Sequence, residues 1–275
     1  MLSRPNRPGG AIELILVGFS PERTRRAMAF CERTFAELSI RTRLVVVNGE
    51  TLPSKADAVG WKVLRGSNAT GEFSGWEEGL RVLGPLPDDG AVLLLNDTIG
   101  AHRHLSVFRR SALLAQIRKA HGACVVGFAG DSATAPADLS ICGMPLPGWT
   151  SSFCLLLTAQ ALERLGGRLH DPVEVASCIA GGSDEGTFFS EQCSPALRKH
   201  LTWWLFTGWY RSERLTPESA DRLLQKARCI CAELLLSAHC VDLGIEFRDP
   251  DRHHRIANAL DRLDARRVAL LQAIK

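Results

Sequence analysis

The sequence predicts an α/β fold, a three-layer sandwich with a mostly parallel central sheet. Apolar runs of strand length alternate with amphipathic segments of helix length over about the first 160 residues, an order that is typical of α/β proteins. The apolar runs are nearly continuous, which indicates strands covered by helices on both faces. A chain of 275 residues is long enough to bury such a core.

Six strands are predicted from short apolar runs. The first two, residues 11–17 and 42–48, are separated by one helix, so we expect a parallel pair joined by a right-handed crossover. The run at residues 91–95 is apolar throughout, and we expect it at the centre of the sheet. The other predicted strands are residues 61–64, 123–128 and 152–157.

Capping residues mark the helix starts. Ser20 and Thr216 are each followed by proline and glutamate, which is typical of a helix N-terminus, and we expect Thr158 to cap another helix. The helix that begins at Thr216 is expected to run towards Gly244. Further helices are predicted at residues 72–83, 105–120 and 159–165. In the helix at 105–120 the residues expected to face the sheet are Val107, Leu113, Leu114 and Ile117.

The two ends of the chain are expected to differ from its body at residues 11–248. Residues 1–10 contain two prolines and two glycines without apolar periodicity, which predicts a disordered lead-in. Residues 249–275 are predicted to form a helical C-terminal extension, an amphipathic helix with an apolar stripe. That stripe either packs on its own domain or serves as the interface of a homo-oligomer.

Charge and composition limit the classes of partner. The formal net charge of +3 is too small to predict nucleic-acid binding. No run reaches the roughly 18 apolar residues that span a bilayer, and the N-terminus has no apolar signal segment. We therefore expect a cytoplasmic protein with nine reduced cysteines. They form no paired C-x-x-C clusters and mostly lie in apolar runs, so we expect small core residues rather than metal or redox sites.

A polar triplet, Asn96-Asp97-Thr98, directly follows the apolar run at residues 91–95. In α/β sheets, ligands bind at the carboxyl ends of the strands. Three loops are expected side by side there: residues 18–21, 65–71 and 96–102. Asp97 can hold a divalent cation that neutralises a diphosphate, while Asn96 and Thr98 complete the ligand set or bind a ribose. The alternative is that Asp97 only caps the next turn.

The loop at residues 65–71 is the second candidate for a wall of this site. Arg65 supplies a cation, Ser67 and Asn68 supply hydrogen-bonding groups, and Gly71 allows a ligand to approach the backbone closely. The alternative is an ordinary strand-to-helix turn, in which Ser67 or Asn68 caps the following helix.

Four motifs together resemble those of a known family. They are an Asn/Gly loop followed by Gly-x-Trp (Asn68, Gly71, Gly75, Trp76), the triplet Asn96-Asp97-Thr98, a strand with Ser152 and Phe153 before a helix, and a later Glu, Leu-Ser and Gly (Glu233, Leu236, Ser237, Gly244). They resemble GT-A-fold glycosyltransferases and, more closely, rhamnosyltransferase-like proteins of bacterial cell-surface polysaccharide synthesis. The resemblance covers residues 11–248 and is strongest at 63–165.

The resemblance implies a GT-A-like sandwich that binds a nucleoside-diphosphate-sugar donor. Residues 11–130 would form the nucleotide-binding half and residues 131–248 the acceptor half. The base and ribose would lie near the first two loops, and the diphosphate, with any Mg²⁺ or Mn²⁺, at Asp97. The implied donor-binding residues are Gly18, Phe19, Arg65, Asn68, Gly71, Asn96, Asp97 and Thr98. Because Asn96 and Thr98 replace the outer acids of the family's Asp-x-Asp motif, strong metal dependence is not implied.

A catalytic carboxylate is also implied. In inverting GT-A enzymes such a group deprotonates the acceptor hydroxyl. Glu233 occupies the matching position, and Asp184 and Glu185 in the GGSDEG loop are competing candidates. The alternatives are a plain helix residue for Glu233 and a solvated loop for the other two.

The predicted function is transfer of a sugar, with inversion, to a bacterial glycan or lipid-linked acceptor. The alternative is a catalytically silent GT-A-like partner subunit that binds nucleotide or glycan. A Rossmann-type enzyme is disfavoured because no G-x-G-x-x-G follows the first strand. The aromatic stretch at residues 188–211 either stacks on an acceptor sugar, contacts the inner face of the membrane, or forms a small core.

Overall fold

The strands follow the apolar runs of the sequence closely. The computed structural model describes residues 10–49, 51, 58–99, 105–130, 138–182, 184–209 and 211–251. The strands in these ranges are β1 (Ile12–Gly18), β2 (Ile40–Val47), β3 (Lys62–Arg65), β4 (Ala91–Asn96), β5 (Cys124–Ala129), β6 (Ser140–Ile141), β7 (Met144–Pro145), β8 (Thr150–Thr158) and β9 (Glu246–Arg248). Every residue of β1 and β4 is buried, as expected for strands covered on both faces.

Seven strands form one sheet in the order β3-β2-β1-β4-β8-β5-β9, and β6 and β7 form a separate hairpin. β1 pairs in parallel with β2 and β4, β2 with β3, and β5 with β9. β8 runs antiparallel to both of its neighbours, β4 and β5. The predicted α/β class and mostly parallel sheet are therefore confirmed, and β4 has its predicted central place.

Seven α-helices connect or follow these strands. They are α1 (Pro21–Thr34), α2 (Glu72–Leu83), α3 (Val107–Lys119), α4 (Ala159–Arg164), α5 (Pro172–Ser177), α6 (Pro195–Trp203) and α7 (Pro217–Asp242). The predicted caps are confirmed: hydroxyl oxygens of Ser20, Thr158 and Thr216 accept from backbone N–H groups in the first turns of α1, α4 and α7. No helix in the ranges above is both long and apolar enough to cross a membrane.

Two hydrophobic cores lie on opposite faces of the sheet. Leu14 and Leu16 of β1 contribute to one core together with residues of α1 and α3. Ile15 and Val17 contribute to the other core, together with residues of α2, α4 and α7. Successive strand residues point to opposite faces, so this division places helices on both sides of the sheet in three layers.

Some predictions about individual residues and segments differ from the structure. Val107, predicted to face the sheet, is 62% exposed. Ser106 caps α3 by accepting from the N–H of Arg109, so Val107 is the first helical residue and lies on the outer side. Leu113 is buried as predicted. Several segments about which the sequence made predictions lie outside the described residues. They are the lead-in up to residue 9, residues 100–104, Tyr210 and residues 252–275 of the predicted C-terminal extension.

α2 approaches the sheet closely because two of its buried positions are glycine. A Cβ on Gly75 would lie 2.8 Å from the side chain of Val17, and one on Gly79 would lie 2.8 Å from that of Ile15. Between them, Trp76 is fully buried, and its Nε1–H donates to the carbonyl oxygen of Leu95 at 2.9 Å. α2 is thereby fixed against β1 and β4, which positions the loop that precedes it.

We predict that Gly79→Val lowers the free energy of unfolding by about 1–3 kcal/mol, the usual cost of overpacking a filled core. The added side chain would meet Ile15. The measurement is urea-induced unfolding. The matched control is Arg81→Val, which places the same β-branched side chain on the exposed face of α2. Equal losses in the two variants would contradict the close packing described here.

Candidate functional site

The parallel strands β1 to β4 end at one edge of the sheet, and the antiparallel strand β8 begins there. We call this the carboxyl edge. Val17 pairs with Asn96, so β1 and β4 end side by side, and Val47 pairs with Arg65 at the ends of β2 and β3. The described parts of the three predicted loops therefore lie at one edge. They are residues 18–21, 65–71 and 96–99.

Asp97 joins the first and third of these loops. It is fully buried, and its Oδ2 accepts from the N–H groups of Phe19 at 2.7 Å and Ser20 at 3.1 Å, with Nε of Arg23 at 3.7 Å. Burial raises the pKa of Asp97; these two donors and Arg23 lower it, and nearby Glu72 raises it further. Oδ2 therefore does not cap the next turn, the alternative that the sequence left open, but binds the loop after β1. Oδ1 is buried without a hydrogen-bond partner.

Asn96 and Thr98 bind each other across the turn. Oδ1 of Asn96 accepts from the N–H of Thr98 at 3.1 Å and from its hydroxyl, and Nδ2 of Asn96 donates to the carbonyl oxygen of Ser152 at 3.4 Å. In the described ranges, no three Asp, Glu, His or Cys side chains are placed to share a metal ion. The triplet leaves one uncommitted carboxylate oxygen for a cation, so a bound Mg²⁺ or Mn²⁺ would take most of its ligands from water and the diphosphate. The metal role of Asp97 stays a prediction.

Ser152, at the start of β8, bridges two carboxylates. Its hydroxyl donates to Oε1 of Glu72, and its N–H donates to Oε2 of Glu233, both at 2.7 Å. Glu72 lies in the first turn of α2 and is 8% exposed. Glu233 on α7 is half-buried as a whole residue. Burial of its carboxyl group raises the pKa of Glu233, and nearby Glu72 raises this pKa further, whereas hydrogen bonds from Ser152 and the charge of Lys226 lower it. The predicted catalytic base thus lies at the carboxyl edge.

One face of α7 lies across this edge. That face presents one residue every four positions: Gln225, Cys229, Glu233 and Ser237. Nε2 of Gln225 donates to the carbonyl oxygen of Asn68 at 3.0 Å. Gly71 lacks the Cβ that would lie 2.3 Å from Sγ of Cys229, and its φ of 55° also favours glycine. The loop at residues 65–71 and α7 therefore meet directly, and Glu233 faces the same edge.

Three buried oxygens at the carboxyl edge have no hydrogen-bond partner. They are the Oδ1 atoms of Asn48, Asn68 and Asp97. Asn48 directly follows β2, and its Nδ2 donates to the carbonyl oxygen of Gly71 at 2.6 Å. Asn68 has a φ of 57°, in the left-handed region. Because buried polar atoms are nearly always paired, these acceptors suit a ligand that brings N–H or O–H donors.

The other predicted donor-binding residues make mainly structural contacts. A Cβ on Gly18 would lie 2.2 Å from Oγ1 of Thr24, so glycine lets α1 begin close to β1. Phe19 contributes its N–H to Asp97. Nη1 of Arg65 donates to the carbonyl oxygen of Gly49 at 2.9 Å, which ties the second loop to the second residue after β2.

The competing acids are not brought to this edge. Asp184 is exposed and caps the 3-10 turn Glu185–Thr187. The pKa of Asp184 is lowered chiefly by the hydrogen bond from the Thr187 hydroxyl and further by backbone N–H groups of the same turn. Glu185 accepts from the N–H of Leu215 at 3.3 Å, just before α7 begins. From Leu215 to Glu233, the helical rise of ~1.5 Å per residue corresponds to about 27 Å along α7. The structure therefore separates Asp184 and Glu185 from Glu233.

Sequence reasoning missed Asn48 and Glu72. Asn48 directly follows a buried strand, as the triplet Asn96-Asp97-Thr98 does. This shared position in the sequence could have indicated that Asn48 belongs to the site. Glu72 follows Gly71 at the start of a helix, where an acid is ordinary. Its burial against Ser152 depends on the placement of β8, which no local pattern shows.

A large cavity in the described structure lies elsewhere. It has a volume of about 1310 Å³, runs beside α2 and α4, and reaches the second loop only at Ala69 and Thr70. Glu77, Arg168 and His170 are among its lining residues, whereas Asp97 and Glu233 are not. The cavity also has a buried polar atom without a hydrogen-bond partner, Nδ1 of His170, which lies 3.6 Å from Oε1 of Glu77. The carboxyl edge remains the stronger candidate, because it combines buried carboxylates with several such unpartnered oxygens.

We predict that Asp97→Ala destabilises the fold by about 1–3 kcal/mol more than Asp97→Asn does, since alanine leaves two N–H groups without an acceptor. In the Asp97→Asn variant, the side-chain amide oxygen still accepts from the N–H groups of Phe19 and Ser20. Thermal and urea unfolding of both variants provide the measurement. If the alanine and asparagine variants behave alike, Asp97 does not hold the first loop.

We also predict opposite pH responses for two matched carboxylate-to-amide variants. Because the folded-state pKa of Glu233 is raised, Glu233 makes the fold less stable as pH rises from its unfolded pKa of about 4.3 towards its folded pKa. Glu233→Gln removes that loss and raises Tm at pH 8. The pKa of Asp184 is lowered, so Asp184 stabilises above about pH 3.9 and Asp184→Asn lowers Tm there.

The measurement for this pair is Tm between pH 4 and pH 8 for the wild type and both variants. The wild-type Tm should decline more steeply towards high pH than that of Glu233→Gln. Parallel curves for the wild type and Glu233→Gln would show that the carboxyl group of Glu233 is not perturbed by burial.

Comparisons with known proteins add no family assignment to this geometry: the chain matches no protein-family model and no curated protein sequence. The function is therefore argued from the chemistry of the carboxyl edge. Its distinguishing groups are two carboxylates joined through Ser152 and three buried oxygens without partners.

Proposed function

We propose that the protein is a glycosyltransferase of GT-A type that moves a sugar from a nucleoside-diphosphate-sugar to a hydroxyl acceptor, with inversion. One observation carries the proposal. The carboxylate of Glu233 is held by Ser152 at the same sheet edge at which Asn48, Asn68 and Asp97 have buried, unpartnered oxygens. A candidate base and a candidate donor-binding surface thus share one edge.

The donor surface suits the sugar and base of a nucleotide. Ribose hydroxyls and base N–H groups are the donors that unpartnered Oδ1 atoms require. Asn48 follows β2, and Asn68 lies in the loop at residues 65–71. The two segments are in contact, because Nδ2 of Asn48 donates to the carbonyl oxygen of Gly71 at the end of that loop, directly before α2. Arg65 on the second loop and Lys226 on α7 supply positive charge near a diphosphate at this edge.

Glu233 has the properties of a general base. Its pKa is raised by burial, which brings it closer to the pH at which a base works efficiently. The N–H of Ser152 fixes one carboxylate oxygen, and the other can take the proton of an acceptor hydroxyl as the hydroxyl oxygen attacks the anomeric carbon. Glu72, bound to the Ser152 hydroxyl, adds negative charge that keeps this proton on Glu233 after transfer.

The broader assignment belongs to the same proposal. The mostly parallel sheet agrees with a GT-A-like sandwich, and several motif residues that carry the resemblance, among them Asn68, Asp97, Ser152 and Glu233, lie at its carboxyl edge. Residues 11–130 are assigned to nucleotide binding, residues 131–248 to the acceptor, and residues 249–275 to a helical extension. A bacterial glycan or lipid-linked acceptor at the cytoplasmic side of the membrane is the substrate class that the resemblance implies.

One observation favours the second candidate, a silent binding module. Oδ2 of Asp97 is committed to two backbone N–H groups, and Asn96 and Thr98 bind each other. The triplet that would hold the diphosphate is therefore used largely for the fold. A module of this kind would bind nucleotide at Asn48 and Asn68 without turning it over.

The test is a thermal-shift screen of UDP-, GDP- and dTDP-sugars in Mn²⁺ and in EDTA, followed by a donor-hydrolysis assay. We expect one nucleotide class to raise Tm, to a similar extent in both conditions because the triplet leaves a cation only one uncommitted carboxylate oxygen. Glu233→Gln should retain that shift and lose at least about 100-fold in hydrolysis, the usual scale of general-base catalysis. Asp184→Asn is the matched control and should retain both properties.

The outcomes separate the candidates. A wild-type Tm shift without hydrolysis would establish the silent module and reject the enzyme. Hydrolysis that survives in Glu233→Gln would reject Glu233 as the base. If no nucleotide sugar raises Tm, the donor surface itself is wrong. Asn68→Ala should weaken the shift without changing the unliganded fold greatly, because the side-chain oxygen of Asn68 has no protein partner.

A further inference from the structure

Three cysteines gather around the sulfur of a fourth, Cys178. Sγ of Cys142 lies 3.6 Å from Sγ of Cys178. The thiols of Cys193 and Cys231 also lie beside Cys178, and Sγ of Cys193 is 4.0 Å from the carbonyl oxygen of Cys178. These residues come from different elements: the β6–β7 turn, the end of α5, the segment before α6, and α7. The cluster is therefore a product of the fold rather than of a sequence motif.

Cys142 is the accessible member of the cluster. It is half-buried, whereas Cys178, Cys193 and Cys231 are buried. Cys142 and Gly143 form the two-residue turn between β6 and β7, and Cys142 has a φ of 49°. A left-handed conformation is uncommon for a residue with a Cβ and costs energy, so this position would ordinarily be occupied by glycine or asparagine. In this turn conformation the Cys142 thiol contacts Cys178.

The surroundings of Cys178 favour its thiolate form. The pKa of Cys178 is lowered because the thiols of Cys193 and Cys231 donate to its sulfur, with smaller contributions from Cys142 and Ser177. The pKa of Cys142 is raised by burial and by the adjacent Cys178. Cys142 is the sulfur that a peroxide in solution reaches, because Cys178 is buried. The Cys178 sulfur, 3.6 Å away, is placed to attack the oxidised Cys142 as a thiolate.

We propose that Cys142 and Cys178 form a redox modification site, at which a hydroperoxide converts the two thiols to a disulfide. This inference is independent of the proposed glycosyltransferase activity. It also departs from the expectation that all nine cysteines serve only as core residues. Closing the 3.6 Å gap to a bond of about 2.05 Å requires a small movement of the β6–β7 turn.

Each step of the oxidation conserves atoms and electrons. The Cys142 thiol loses its proton, its sulfur attacks one oxygen of the peroxide, and the O–O bond breaks, so that Cys142 becomes a sulfenic acid. The leaving oxygen takes up that proton and departs as water or an alcohol. The Cys178 thiolate then attacks the Cys142 sulfur, the S–S bond forms, the S–O bond breaks, and hydroxide leaves. The proton that Cys178 had released converts this hydroxide to water. Two thiols are oxidised and one peroxide is reduced.

Formation of the disulfide would tie the β6–β7 hairpin to α5. Both elements contact α7, and Cys231 of the cluster lies on α7 two positions from Glu233, on a different face of the helix. His239 of α7 also hydrogen-bonds Glu174 of α5 at 2.8 Å. The modification would therefore strengthen the packing on the side of α7 that faces away from the carboxyl edge.

The test is mass spectrometry of peptides after treatment of the reduced full chain with a slight excess of hydrogen peroxide and blocking of free thiols with N-ethylmaleimide. We expect a Cys142–Cys178 linked pair, two hydrogens lighter than the sum of its peptides, that dithiothreitol cleaves. Tm should rise on oxidation and return on reduction, because the link closes a segment of the chain. Cys31→Ala, which changes a buried cysteine outside the cluster, should still form the link.

Two variants of Cys142 keep the test decisive. Cys142→Ser should abolish the link, and Cys142→Gly should abolish it while raising Tm under reducing conditions, because glycine adopts the required φ without strain. A link between any other pair of cysteines, or alkylation of Cys178 in peroxide-treated wild type, would overturn the proposal. So would zinc bound stoichiometrically to the cluster in the native mass spectrum, which would assign the four thiols to a metal.

Discussion

The contact between α7 and the loop before α2 is the constraint on which the candidate site depends. The contact requires a glycine, because a Cβ on Gly71 would lie 2.3 Å from Sγ of Cys229. With this contact made, Gln225 binds the loop backbone at Asn68, and Glu233, two turns further along, reaches Ser152. A helix from the C-terminal part of the chain is thereby joined to loops from its N-terminal half. The carboxyl edge becomes one surface rather than two.

This arrangement buries negative charge without a matching number of cations. Burial raises the pKa values of Asp97 and Glu233, and repulsion from Glu72 raises both of them further. Buried charges reduce stability unless they are paired. A cluster of buried carboxylates without matching cations is therefore characteristic of functional sites. The two carboxylates have different duties: Asp97 holds the start of α1 through Phe19 and Ser20, while Glu233 is held by a single backbone N–H from Ser152.

Local signals in the sequence were sufficient for the six longer strands of the sheet and for α1, α2, α3, α4 and α7. They did not show β6, β7, β9, α5 or α6, nor how the elements are arranged. Buried runs and caps such as Ser20 and Thr216 act over a few residues, and the structure follows them. The insertion of antiparallel β8 between β4 and β5 is non-local. It alone places Ser152 beside Glu72, which the sequence did not single out. The direction of the loop at Asp184 is also non-local, so two acids proposed as alternatives to Glu233 proved distant from it.

Hydrogen–deuterium exchange with a saturating nucleotide sugar tests the central claim, that the ligand surface is the carboxyl edge, most directly. We expect slower exchange in peptides that cover residues 66–71, 96–99 and 225–233. The large cavity beside α2 and α4 provides the contrast, since its lining includes Arg81, Leu86 and Arg168. Protection confined to residues 80–88 and 160–172, with none at the carboxyl edge, would contradict this account.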